Sequence, residues 1–154
     1  MSIKLNIESG FETIELDEDR KFKFNANDYS IIIKGTKIAK DIDNKLKEYV
    51  DGLKSSLEYL NEDSELCAEK LYEIENETKG YICNKVDELF GNEVSREIFK
   101  GISPLTITND GSFYVIKLFE AILPIVAERV KEASDKMKTN TEKYTKKYIE
   151  EENK

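Results

Sequence analysis

The sequence predicts an α+β fold, predominantly α-helical, in which a short N-terminal antiparallel β-sheet is followed by a bundle of long helices. Three observations carry this. Apolar residues alternate with a period of two across residues 2–25, and from residue 28 onward they recur at spacings of three, four and seven. The densest apolar run, residues 98–126, holds both prolines. It reads as a helix end at Ile98 and Phe99 stopped by Gly101, an extended connection through Pro104, a polar turn at Asn109, Asp110 and Gly111, and then a helix apolar on nearly every side. Such a helix must be buried in the chain's own core or under a partner.

The elements follow in order. Ile3, Leu5 and Ile7, then Ile14 and Leu16, then Phe22 and Phe24 mark two or three strands, separated at Ser9-Gly10 and at Asp17-Glu18-Asp19. A lone hairpin is marginal in water, so its apolar face is expected to pack on the chain's helices, the alternative being addition to a neighbouring subunit's sheet. Asn27 or Asp28 is a suitable N-cap for a helix running towards Leu60, with Ile32, Ala39, Ile42, Leu46, Tyr49 and Leu53 on one face. Gly52 marks the place for a kink or break in it. That stripe reads as intramolecular core, with an intermolecular coiled coil as the alternative.

Residues 61–64 break the pattern and cap a second helix carrying Cys67, Leu71, Ile74, Thr78, Tyr81 or Ile82, and Leu89; Gly91 stops it. Asn92 caps a short helix over 93–100. Asp110 or Ser112 caps the last helix, in which Pro124 predicts a kink or a new segment near Ala121. Residues 1–137 are expected to form a single globular domain, with a β region at 2–25 and a helical region at 28–137. Residues 138–154 form a polar tail, frayed or extended as a helix.

Composition narrows the function. The chain has 154 residues, 24 Lys+Arg against 32 Asp+Glu, a net charge of −8 and no histidine. Excess acid disfavours a phosphate backbone, so no nucleic-acid partner is expected. Lys117 and Glu120 interrupt the best membrane-span candidate, so no membrane role is expected either. The N-terminus lacks a signal-peptide pattern, which points to the cytoplasm. Eight of the acidic residues lie within 58–79 with two lysines, a run read as a solvated face or a surface for a basic partner helix.

No chemistry declares itself. Cys67 and Cys83, sixteen residues apart on one helix, stand about 24 Å apart and read as small buried hydrophobes. Without histidine, two cysteines cannot close a zinc site, and Ser103 and Ser112 have no activating base. Carboxylate pairs such as Glu69 with Glu73 are helix-surface neighbours. No catalytic residue, cofactor or metal ligand is expected, and the chain does not read as an enzyme.

The order of elements resembles a known family, the small tail assembly chaperones of long-tailed phages and prophages of the Gram-positive host type. The likeness lies in residues 3–24 leading through Asn25-Ala26-Asn27-Asp28 into a long helix. It continues in Ile98-Phe99-Lys100-Gly101-Ile102-Ser103-Pro104, similar to a Val/Ile-Phe-Gly-x-x-x-Pro step. Phe119-Glu120-Ala121-Ile122-Leu123-Pro124 is similar to a Phe-Leu-Glu-Ala-Leu-x-Pro helix. The resemblance implies a protein of the host bacterial cytoplasm that binds the tape-measure protein until tail-tube protein polymerises around it. It also implies absence from the mature particle, self-association into a homo-oligomer, and a longer frameshifted form. Ile98, Phe99, Pro104, Phe119, Leu123 and Pro124 are the candidate partner-binding residues. A non-catalytic structural or adaptor protein, such as a head–tail component or coiled-coil adaptor, is the competing reading.

Overall fold

The computed structural model describes residues 2–5, 10–25 and 27–152. β1 (Phe11–Glu15) and β2 (Lys21–Asn25) pair antiparallel, with Ile14 opposite Phe22 and Glu12 opposite Phe24. The two-residue period puts these four on the inner face, where Phe22 and Phe24 are buried. The Phe90 ring lies 5.2 Å from Phe22 and 6.5 Å from Phe24, and 6.4 Å from Phe119. The hairpin therefore packs on the chain's own helices through an aromatic cluster. The strand expected over 3–7 does not form at 2–5, where Ile3 and Leu5 are 85% and 79% exposed. Ile7 lies outside the described residues.

Arg20, in the β1–β2 turn, locks the hairpin down. Its side chain, 13% exposed, donates to the Tyr114 hydroxyl at 2.7 Å and to the Ile98 carbonyl at 3.2 Å, and pairs with Asp17 at 2.6 Å.

α1 (Ser30–Leu57) begins where the Asp28 carboxylate accepts the Ser30 amide at 2.9 Å, so Asp28 is the effective cap. The helix stops short of Leu60, which is exposed in the turn over 58–63. α2 (Ser64–Phe90) is capped by Asp63, whose carboxylate accepts the Leu66 amide at 3.1 Å. Lys45–Glu77 at 2.9 Å and Lys85–Asp41 at 3.6 Å fix α1 and α2 as antiparallel neighbours. Gly52 does not break α1. A Cβ there would stand 2.9 Å from Ile74 Cδ1, so the glycine serves the close approach of the two helices.

Gly91, at φ +121°, ends α2, and Glu93 sits in the left-handed region at φ +64°. α3 (Val94–Ile98) is shorter than the 93–100 expected. The side chain that caps it is Asp87, which accepts the Ser95 amide at 2.7 Å from α2, rather than Asn92.

α4 (Tyr114–Glu152) is likewise not capped by Asp110 or Ser112. The loop before it folds back through an Ile107–Phe113 bridge, and the carbonyls of Thr106 and Pro104 accept the Tyr114 and Val115 amides at 2.7 and 3.2 Å. The helix runs through Pro124 without ending there.

α4 is antiparallel to α1: Phe113 meets Tyr49, rings 6.0 Å apart, and Leu123 meets Gly35. Ile38, Ile42, Ile82, Val86, Val115, Ile122 and Val126 fill the space between the helices, and Val130 is the last buried residue of α4. Beyond it, residues 131–152 stay helical with none buried, about 33 Å of helix at about 1.5 Å per residue. This segment leaves the body beside the start of α1, at the pole opposite the 58–63 turn.

Candidate interaction surface

The fold distributes the six candidate partner-binding residues rather than assembling them on one face. Ile98, Pro104 and Phe119 are buried, and Phe119 belongs to the aromatic cluster under the hairpin. Phe99 is half-buried, its ring edge-on to Tyr114 at 6.3 Å. Leu123 is half-buried against Gly35, and Pro124 is exposed. The apolar girdle of the first half of α4 is met by α1, α2 and the hairpin of the same chain. What three of these residues contribute in this fold is packing.

An open apolar groove lies nearby. It has a volume of about 490 Å³ and runs between α1 and the start of α4, floored by Leu46 and walled by Val50, Phe113 and Ile116. Asp43, Lys47 and Asp51 line its rim. Asp110 holds the turn at one end: its carboxylate accepts from the Thr108 hydroxyl and the Ser112 amide and pairs with Lys117. The Lys117 ammonium and then the Thr108 hydroxyl keep the Asp110 carboxyl far below the usual carboxylate range. Ile107, on the same loop, is 56% exposed.

Leu46 and Ile116 each belong to an apolar pattern visible in the sequence. That the patterns leave a gap between them depends on the angle at which α4 crosses α1, which local spacing does not encode. A second and larger groove, about 790 Å³, opens at the other pole between the start of β1 and α4, where Phe11, Met137 and Tyr144 are exposed and Arg129 pairs with Glu12 at 3.2 Å.

Cys67 is buried and Cys83 half-buried on α2, both as free thiols, and burial pushes the Cys83 thiol up. Among the described residues, no cluster of three or more Cys, Asp and Glu is arranged to hold a metal, and no helix is long and apolar enough to cross a membrane. Comparison with protein-family models, with curated proteins and with solved structures finds no match.

Proposed function

We propose that this chain is a tail assembly chaperone of a long-tailed phage or prophage, a non-catalytic protein of the host cytoplasm. It binds tape-measure protein and tail-tube subunits during assembly and is absent from the finished particle. The resemblance of the hairpin-to-helix start and of the two Pro-containing stretches supports this reading. The structural observation that carries it is the open groove between α1 and α4. Its apolar floor and walls, Leu46, Val50, Phe113 and Ile116, suit the apolar side chains of an amphipathic helix laid across them. A tape-measure chain, long and largely helical, offers such segments repeatedly.

The test is co-expression with the tape-measure protein encoded nearby in the same genome, scoring soluble tape measure that co-purifies. Val50→Glu puts a charge on the groove wall and is the comparison, with helical content confirming its fold. Phe119→Asp is unsuitable, because Phe119 is buried and the variant would unfold. Soluble tape measure with the native chain but not with Val50→Glu supports the proposal. Tape measure that precipitates equally with and without this chain overturns it.

A further inference from the structure

Beyond Val130, α4 carries a pattern that stays exposed even where Lys136, Met137 and Tyr144 line the groove over the start of β1. Lys136-Met137, Lys143-Tyr144 and Lys147-Tyr148 repeat a basic–apolar pair at spacings of seven and four. On a helix this puts Met137, Tyr144 and Tyr148 in one stripe with the three lysines along its flank. Met137, Tyr144 and Tyr148 are all more than half exposed, and the two tyrosine rings stack edge-on at 4.9 Å. Residues 136–147 hold five lysines against Glu142, a net +4 in a chain of net −8.

The counterpart stands at the opposite pole. Residues 58–79 carry eight acids and two lysines, and Glu65, Glu69 and Glu73 form a row at four-residue spacing along the outside of α2. Leu57, Leu60 and Tyr72 are more than half exposed beside them. Among the described residues, no ion pair engages Lys136, Lys143, Lys147, Glu65, Glu69 or Glu73. Two complementary surfaces thus face solvent on one chain. The length of α1, about 42 Å for its 28 residues, separates them, so neither can reach the other within a molecule.

We propose that each surface is the occupant of the other in a closed antiparallel dimer. The lengths are compatible: the basic stretch, residues 136–147, makes about 18 Å of helix, and the helical part of the acidic run, residues 64–79, about 24 Å. Two copies laid antiparallel and offset by one body length form both contacts at once, the tail of each along the acidic α2 face of its partner. The arrangement is isologous and leaves no complementary end open to further addition. This inference rests on the reading of the chain as an interaction protein but not on any tape-measure contact, and its test uses the purified chain alone.

The test is the mass of the full chain in solution, by sedimentation or light scattering, with charge-reversed variants. The native chain is expected at twice 17.8 kDa in low salt, with at least tenfold weaker association at high salt. Lys136→Glu, Lys143→Glu and Lys147→Glu together, or Glu65→Lys, Glu69→Lys and Glu73→Lys together, should each give folded monomers, since all six positions are exposed. Mixing the two variants pairs an acidic tail with a basic face and a basic tail with an acidic face, and should restore the dimer. A monomeric native chain overturns the inference. So do a dimer indifferent to both reversals, a mixture that stays monomeric, and an assembly that keeps growing with concentration.

Discussion

Arg20 ties the β-hairpin to the helical body, and the strength of that tie follows from its geometry. The guanidinium donates to the Tyr114 hydroxyl at 2.7 Å and to the Ile98 carbonyl at 3.2 Å, with its carbon 5.4 Å from the Tyr114 ring centre. A hydrogen bond to a charged group contributes about 1.5–3 kcal/mol, and the longer bond to Ile98 belongs at the low end. Arg20→Ala should therefore destabilise by about 3 kcal/mol. Tyr114→Phe keeps the ring but removes the acceptor, and should cost about 1.5 kcal/mol. If the two losses share that bond, the double variant loses about 3 kcal/mol rather than about 4.5, a coupling of about 1.5 kcal/mol. Urea unfolding followed by far-ultraviolet circular dichroism measures all four corners of the cycle. Additive losses, with coupling under about 0.5 kcal/mol, would refute the claim that Arg20 and Tyr114 act as one tie.

Four further outcomes follow from the packing of the helices and the turn before α4. Gly80 lies in α2 with nothing within 4 Å of a built Cβ, so Gly80→Ala should raise stability by about 0.5–1 kcal/mol. Gly35→Ala gains the same helix propensity but drives a methyl to 2.9 Å from Leu123 Cδ2 at a buried position. Thermal unfolding should show it about 1 kcal/mol or more less stable. Pro124 is exposed inside α4 and leaves the Glu120 carbonyl without its helical donor, so Pro124→Ala should stabilise by about 1–2 kcal/mol, read as a higher melting temperature. The Asp110 carboxyl titrates below its ordinary value of 3.8, so its contribution is present above that pH and fades as acid protonates it. The melting-temperature gap between the native chain and Asp110→Asn should therefore be open at pH 6 and close as the pH falls below about 3; a gap that widens in acid would contradict the ion pair with Lys117.

The sequence made the hairpin and the helix faces readable because both rest on local periods. Phe22 and Phe24 alternate with lysines, and Ile42, Leu46 and Leu89 recur at helical spacing, so their burial followed from spacing alone, whereas the choice between Tyr81 and Ile82 is made by the packing, which buries Ile82. The misread features share a different origin, since each depends on a residue distant in the chain. Gly52 looked like a break because its reason for being glycine is Ile74, on the next helix. Asn92 looked like the cap of α3 because Asp87, still inside α2, carries no capping signal. The amides at the start of α4 are met by carbonyls of Pro104 and Thr106, and backbone acceptors leave no trace in residue type. Phe119 looked like a partner contact because an apolar girdle is the same pattern whether its cover comes from a partner or from Phe90 of the same chain.

The central claim is that this protein acts during tail assembly and then departs. The most direct measurement is quantitative mass spectrometry of particles grown from the genome that encodes it, comparing complexes isolated before tube polymerisation with purified mature virions. The account predicts the chain bound to tape-measure protein in the early complexes and missing from the virions. Recovery in mature particles at a fixed ratio to the tail-tube protein would contradict it and make the chain a structural component.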